Sequence, residues 1–309
     1  MLTEFGGTVP HKNPEGEVRN VHGELYSIID AFLFAGELDI LEIRLHELDS
    51  VVDHFVIVES CEPHGAAGRR QPTYLADPER WEEVTGPFHN KICYDVLDNL
   101  EPAYTTSRSG WARENYHRSA LMQPIKQLSG SPYDVVIVSD IDEIPRASVL
   151  TCCIPELGDN LAYLDLDLYR YNVNTFDDEF WASSYVTTIG TLEKVGGPQS
   201  PRGYLDKQAR LSRLVAPNAG WHFTSFMDLP RLREKLRSFA HSSDFPELLT
   251  MSDRQLAEMI LAPRNIFTGR QLEKRRSDDS RLPQYFLDNR EKFKNLTSAP
   301  LEERYPLES

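Results

Sequence analysis

Val135-Val136-Ile137-Val138-Ser139-Asp140-Ile141-Asp142-Glu143-Ile144-Pro145 decides how the rest of the 309-residue chain is read. Its first four residues form a short, unbroken, β-branched apolar run. That is the pattern of a strand buried on both faces of a parallel sheet. The run ends in two carboxylates two residues apart. Ligands of open α/β sheets bind beyond the carboxyl ends of the strands, so the cluster falls where a site belongs. Asp140 and Asp142 are hard oxygen ligands suited to Mg²⁺ or Mn²⁺, which keep positions for water or phosphate oxygens. The same residues also suit an acidic turn ahead of a helix. Asp165-Leu166-Asp167 shows that the tripeptide also arises without a strand end before it.

Working outward, residues 27–34 form a second apolar strand, broken by Gly36. Residues 39–51 carry Ile40, Leu41, Ile43, Leu45 and Leu48 at helical spacing. Strands follow at 55–58, with Glu59 at the end, and at 92–96, and then one helix over 111–128. Strand, helix, strand, strand, helix, strand predicts a mostly parallel sheet wrapped by helices. Beyond it the pattern predicts strands over 161–171 and 185–195, a loop over 196–206, and helices at 229–241, 252–261 and 284–294. Residues 1–23 are polar and aperiodic and read as an N-terminal arm. Residues 24–309 read as a single α/β domain with a C-terminal helical elaboration.

Composition narrows the function classes. Asp and Glu number 48 against 33 Lys and Arg, a net charge of −15. Bulk charge of that sign does not hold a nucleic-acid backbone, although one pocket or one cation can still hold a nucleotide. No run approaches eighteen apolar residues, so no membrane-spanning segment is expected. The first twenty residues have no apolar core of a signal peptide. Cys61, Cys93, Cys152 and Cys153 suit neither a zinc site nor a disulfide framework. Asn295-Leu296-Thr297 is a glycosylation sequon, relevant only in a secretory lumen.

Six motifs in order carry a family resemblance. They are Asp30-Ala31-Phe32-Leu33-Phe34, with Glu37-Leu38-Asp39 and Glu42-Ile43-Arg44-Leu45; Phe55 to Ser60; Gly110-Trp111-Ala112-Arg113-Glu114 with Arg118; Ser139 to Pro145; Gly220-Trp221-His222-Phe223; and Ser238-Phe239-Ala240-His241. Over residues 28 to about 295 the chain resembles glycosyltransferase family 17. That resemblance implies a GT-A-like nucleotide-binding fold with an Asp-X-Asp metal site. It implies inverting, metal-dependent transfer of N-acetylglucosamine from UDP-GlcNAc to a mannose hydroxyl of an N-glycan, with β-1,4 linkage. A glycan or glycoprotein acceptor and a secretory-pathway or Golgi setting come with it.

The same resemblance implies roles for particular residues. Asp140, Asp142 and His222 become metal ligands, the neutral imidazole favouring Mn²⁺ over Mg²⁺. Packing between Trp221 and Phe223 is the other reading of His222. Phe34, Glu37, Glu59, Glu114 and Arg118 become donor-binding residues. Glu59 also reads as a strand-end charge, and Glu114 with Arg118 as a helical i,i+4 pair. Glu143 is the candidate general base, with Asp177, Asp178, Glu179, Glu193 and Asp244 as alternatives. Tyr169, Tyr171, Phe176 and Trp181 suit an acceptor platform or plain packing. Two other functions fit the paired carboxylates: a metal-dependent nucleotidyltransferase, and a non-catalytic glycan-binding protein on a transferase fold.

Overall fold

A computed structural model describes residues 26–64, 68–100, 110–203, 214–238 and 245–297. The expected arm 1–23, His241 and Asp244 lie outside them. A ten-stranded sheet forms the centre. Its strands are β1 (Ile28–Phe34), β2 (His54–Ser60), β3 (Ile92–Leu97), β4 (Val135–Asp140), β5 (Glu143–Pro145), β6 (Leu161–Arg170), β7 (Thr175–Asp177), β8 (Tyr185–Thr188), β9 (Leu214–Thr224) and β10 (Glu273–Lys274).

The first half of the chain builds the parallel array β3-β2-β1-β4. Strand β1 is buried throughout, and its two faces feed two cores. Ile28, Phe32 and Phe34 meet the helix Leu38–Leu48 through Leu41 and Leu45. Ile29, Ala31 and Leu33 meet Leu121 and Ile125 on the opposite side. The all-apolar runs are therefore strands sandwiched between helices, as the sequence predicts.

The second half is less parallel than expected. β8 joins β4 antiparallel, and β6 joins β8 antiparallel. The other edge of β6 carries β9 in parallel, and β9 in turn carries β5 antiparallel. Sequence reading missed β5 and β9. β9 contains Pro217, which cannot donate to a ladder, and Asn218 at φ 51°. The ladder skips there, so apolar alternation along 214–224 is broken.

Three expectations are corrected, for a helix, a strand and a loop. The single helix over 111–128 is two, Gly110–Ala120 and Met122–Leu128. Pro124 has no N–H for the Ala120 carbonyl and its ring crowds that turn, so the helix breaks just before. The strand expected over 185–195 stops at Thr188, whose hydroxyl accepts from the Thr191 N–H and caps the helix Ile189–Lys194. Ser200–Gly203, inside the expected loop, forms a short helical turn. The helix Asp253–Leu261 matches the sequence pattern and starts with a Ser252/Gln255 capping box. No helix among the described residues is long and apolar enough to cross a membrane.

Candidate active site

The strand order reverses between β1 and β4, and a crevice opens at such a point beyond the carboxyl ends. The turn from β4 to β5, Asp140 to Glu143, stands there. Arg44 holds it from below. This arginine is fully buried and reaches up from the helix Leu38–Leu48. Its Nε and Nη2 donate to both oxygens of buried Asp30 at 2.8 and 2.6 Å. Nη2 also donates to Ser139 Oγ. Nη1 donates to the carbonyls of Asp140 (3.0 Å), Ile141 (3.3 Å) and Glu143 (2.9 Å). One guanidinium thus fixes the backbone of the turn that presents Asp140 and Asp142, a task suited to its planar array of donors.

Strand β9 closes the turn from the other side. The Phe223 N–H donates to the Asp142 carbonyl at 2.8 Å, and His222 pairs in register with Glu143. Gly220 makes this approach possible: a Cβ there would lie 2.1 Å from the Ile144 carbonyl oxygen, and its φ is 154°. His222 Nε2 consequently stands 3.6 Å from Asp142 Oδ2, and Lys235 Nζ stands 3.9 Å from the same oxygen. Burial pushes the Asp142 carboxyl up, but His222 and Lys235 outweigh it and hold it below its usual range. The His222 ring lies over Trp181, with centroids 4.5 Å apart.

Asp140 is held by two arginines. Arg118 meets Oδ1 at 3.0 Å and Arg202 meets Oδ2 at 2.7 Å. Arg118 also meets Glu114 at 2.9 Å and Gln199 Oε1 at 2.6 Å. Glu114 and Arg118 thus pair along their helix, and Arg118 also faces Asp140.

Glu143, the candidate base, is fully buried. Its carboxylate accepts from the Asp140 N–H (3.0 Å), Trp181 Nε1 (2.7 Å), Ser184 Oγ (2.6 Å) and Arg202 Nη1 (2.6 Å) and Nη2 (3.2 Å). Burial opposes its charge, yet Arg202, His222 and Ser184 hold its pKa far below the usual range. A carboxylate so placed braces Arg202 and Trp181 and is a poor proton acceptor. Among the alternatives, Asp177 is buried against Arg170 and Arg270, and Glu193 pairs with Lys126 at 2.6 Å.

The other residues named from sequence are placed as follows. Glu59 is buried and accepts from the Thr73 N–H (3.0 Å), Thr73 Oγ1 (2.9 Å) and the Tyr94 hydroxyl, so it anchors the segment after β2. The Phe34 side chain lies in the core against Trp81, with centroids 6.0 Å apart. Glu37 accepts from the Ala35 N–H at 3.0 Å, and burial and Asp142 raise its carboxyl pKa. Of the platform aromatics, Tyr169 and Tyr171 are buried, half-buried Phe176 lies under the Arg275 guanidinium, and Trp181, beside His222, donates to Glu143 at the turn.

The donor chemistry fits a divalent cation. Asp142 and His222 offer oxygen and nitrogen side by side, and His222 Nδ1 is buried with no hydrogen-bond partner. Asp140 and Asp142 keep 32% and 18% of their side chains exposed, so both are reachable. Both oxygens of Asp140 are engaged by guanidinium groups, and among the described residues no three acidic, His or Cys side chains converge on one point. Arg202, Lys235 and Arg44 were not found as site residues by sequence reading. Arg44 was visible as a charged residue on the apolar face of a predicted helix, which is a signal of buried pairing.

Residues 17–300 match the profile of Glycosyltransferase family 17. The β-1,4-mannosyl-glycoprotein 4-β-N-acetylglucosaminyltransferase of Rattus norvegicus is 29% identical over 89% of this chain and 55% of its own length. The enzyme of the same name from Homo sapiens is 29% identical over 89% of this chain and 56% of its own. The chain thus spans about half the length of the curated relatives it matches. Among solved structures, HddC from Yersinia pseudotuberculosis has a TM-score of 0.35 at 10% identity, covering 64% of this chain and 91% of that one.

Proposed function

The chain belongs to glycosyltransferase family 17, and from that premise we propose that it transfers N-acetylglucosamine from UDP-GlcNAc to a mannose hydroxyl of an N-glycan, in β-1,4 linkage with inversion. The observation that carries this reading is the turn Asp140–Glu143, held rigid by Arg44 at the carboxyl end of β4 and ringed by Arg118, Arg202, Lys235 and His222. That ring suits a diphosphate: its arginine and lysine groups are pre-placed, so little reorganisation is needed as charge builds on the leaving group.

A Mn²⁺ or Mg²⁺ ion held by Asp142 and His222 would supply further positive charge to the leaving diphosphate. Arg118 and Lys235 orient the phosphates, and the indole of Trp181 walls the space beside His222. The acceptor hydroxyl loses its proton to a carboxylate other than Glu143, which is kept ionised and saturated to position Arg202.

The test is turnover of UDP-GlcNAc with a panel of N-glycan acceptors, in Mn²⁺ and in EDTA, with the product linkage read by NMR. UDP release and a new β-linked N-acetylglucosamine are expected, with activity lost in EDTA and in Asp142→Asn. Release of pyrophosphate from UTP and a sugar phosphate would favour a nucleotidyltransferase. Glycan binding without turnover would favour a lectin-like role.

A further inference from the structure

A chain of two histidines beside the donor crevice has its hydrogens dictated by a backbone carbonyl. His117, buried on the helix Gly110–Ala120, places Nε2 3.1 Å from the Val58 carbonyl oxygen. A carbonyl only accepts, so His117 Nε2 carries the hydrogen. Burial keeps this ring neutral, which makes its Nδ1 an acceptor. His64 Nε2 lies 3.1 Å from that Nδ1, so His64 Nε2 also carries its hydrogen. The remaining nitrogen, His64 Nδ1, is a bare lone pair, and among the described residues nothing donates to it. Burial lowers the His64 pKa to about 4, so the ring stays neutral at working pH.

The location is informative. His64 follows the carboxyl end of β2, and β2 lies next but one to β4 in the sheet. Two strand spacings separate the ends of β2 and β4 by about 10 Å. His64 nevertheless lies within electrostatic range of Glu114, Arg118 and Asp140.

We propose that His64 Nδ1 accepts a hydrogen bond from the nucleoside of the donor, from either the imide N–H of uracil or a ribose hydroxyl, and that His117 is the positioning residue that sets its tautomer. This rests on the nucleotide-donor reading above. A fixed acceptor gives specificity as well as affinity, because a ligand with an acceptor at that point meets two opposed lone pairs.

The experiment measures UDP binding by calorimetry to the full chain, alongside melting temperature. His64→Phe should weaken UDP binding roughly tenfold and raise KM for the donor, with kcat at saturating donor unchanged. His64→Asn, which keeps an oxygen acceptor near the Nδ1 position, should bind within about threefold of the parent. Where Phe proves too bulky to fold, His64→Ala takes its place. Binding of 2′-deoxy-UDP and of N3-methyl-UDP separates the two sources: the probe whose affinity no longer responds to His64→Phe lacks the donating group. ¹⁵N-resolved imidazole spectra should show His64 as the Nε2–H tautomer, lost in His117→Phe. UDP binding within twofold of the parent in His64→Phe, or an Nδ1–H tautomer in the parent, overturns the inference. A parent chain that binds no UDP overturns the donor reading itself.

Discussion

Replacing Arg44 by Met tests the arrangement beneath the Asp140 turn. The change removes every donor to Asp30, Ser139 and the carbonyls of Asp140, Ile141 and Glu143. Asp30 is fully buried, so it would be left as an uncompensated charge. Breaking one side of such a pair costs about 3–5 kcal/mol. For a domain of this size each kcal/mol lowers Tm by roughly 2–4 °C, so a fall of about 6–20 °C is expected by calorimetry. The double variant Asp30→Leu/Arg44→Met removes both charges and should recover much of that loss. It should not recover UDP affinity, because the three carbonyls of the turn still lack their common donor. A Tm drop under about 2 °C in the single variant would refute the buried-pair argument. Full recovery of UDP binding in the double variant would refute the claim that Arg44 sets the geometry of the turn.

Gly220→Ala should place a Cβ against the Ile144 carbonyl, part β5 from β9 and draw His222 from Asp142; a stability loss above about 3 kcal/mol is expected in urea titration. Glu143→Gln should lower melting temperature and UDP affinity together, since Arg202 loses one of its two charge partners; a fall in kcat alone, with UDP affinity intact, would instead make Glu143 the base. Asp177 carries a pH test away from the site. Burial opposes its ionisation, but the hydrogen bond and charge of Arg170, the Glu179 N–H and Arg270 hold its pKa below the usual carboxylate value. Its stabilisation is therefore complete above the unfolded value of about 3.9 and drains as pH falls through the lower folded value. The urea midpoint of the parent should fall more steeply than that of Asp177→Asn below about pH 4, and parallel curves would reject the assignment.

Much of the parallel half of the fold was legible in the amino-acid order. β1, β2 and β4 are buried on both faces, and such strands are apolar at successive positions through their centres, with Asp30 in β1 an exception that Arg44 explains. The carboxylates at the end of β4 could be recognised because a strand end is a local feature and the crevice rule needs nothing more. Helix lengths were less legible where a single residue decided them, as Pro124 and Thr188 did.

The roles of the site residues were not local. Glu143 looked available because it adjoins Asp140 and Asp142 in sequence, yet Trp181, Ser184 and Arg202 reach it from far along the chain and saturate it. Glu59 ended a strand and proved to be an anchor for Thr73 and Tyr94. His222 meets Asp142 only because β9 crosses to pair with β5, and that crossing depends on a glycine whose reason is a carbonyl of Ile144 on the partner strand. Hydrophobic periodicity reports which face of an element is buried, because burial acts on each residue by itself. Charge pairing acts between residues, and its partners are set by strand order and register. The sequence alone therefore determined the layers, and only the tertiary structure decided which charges meet at the turn.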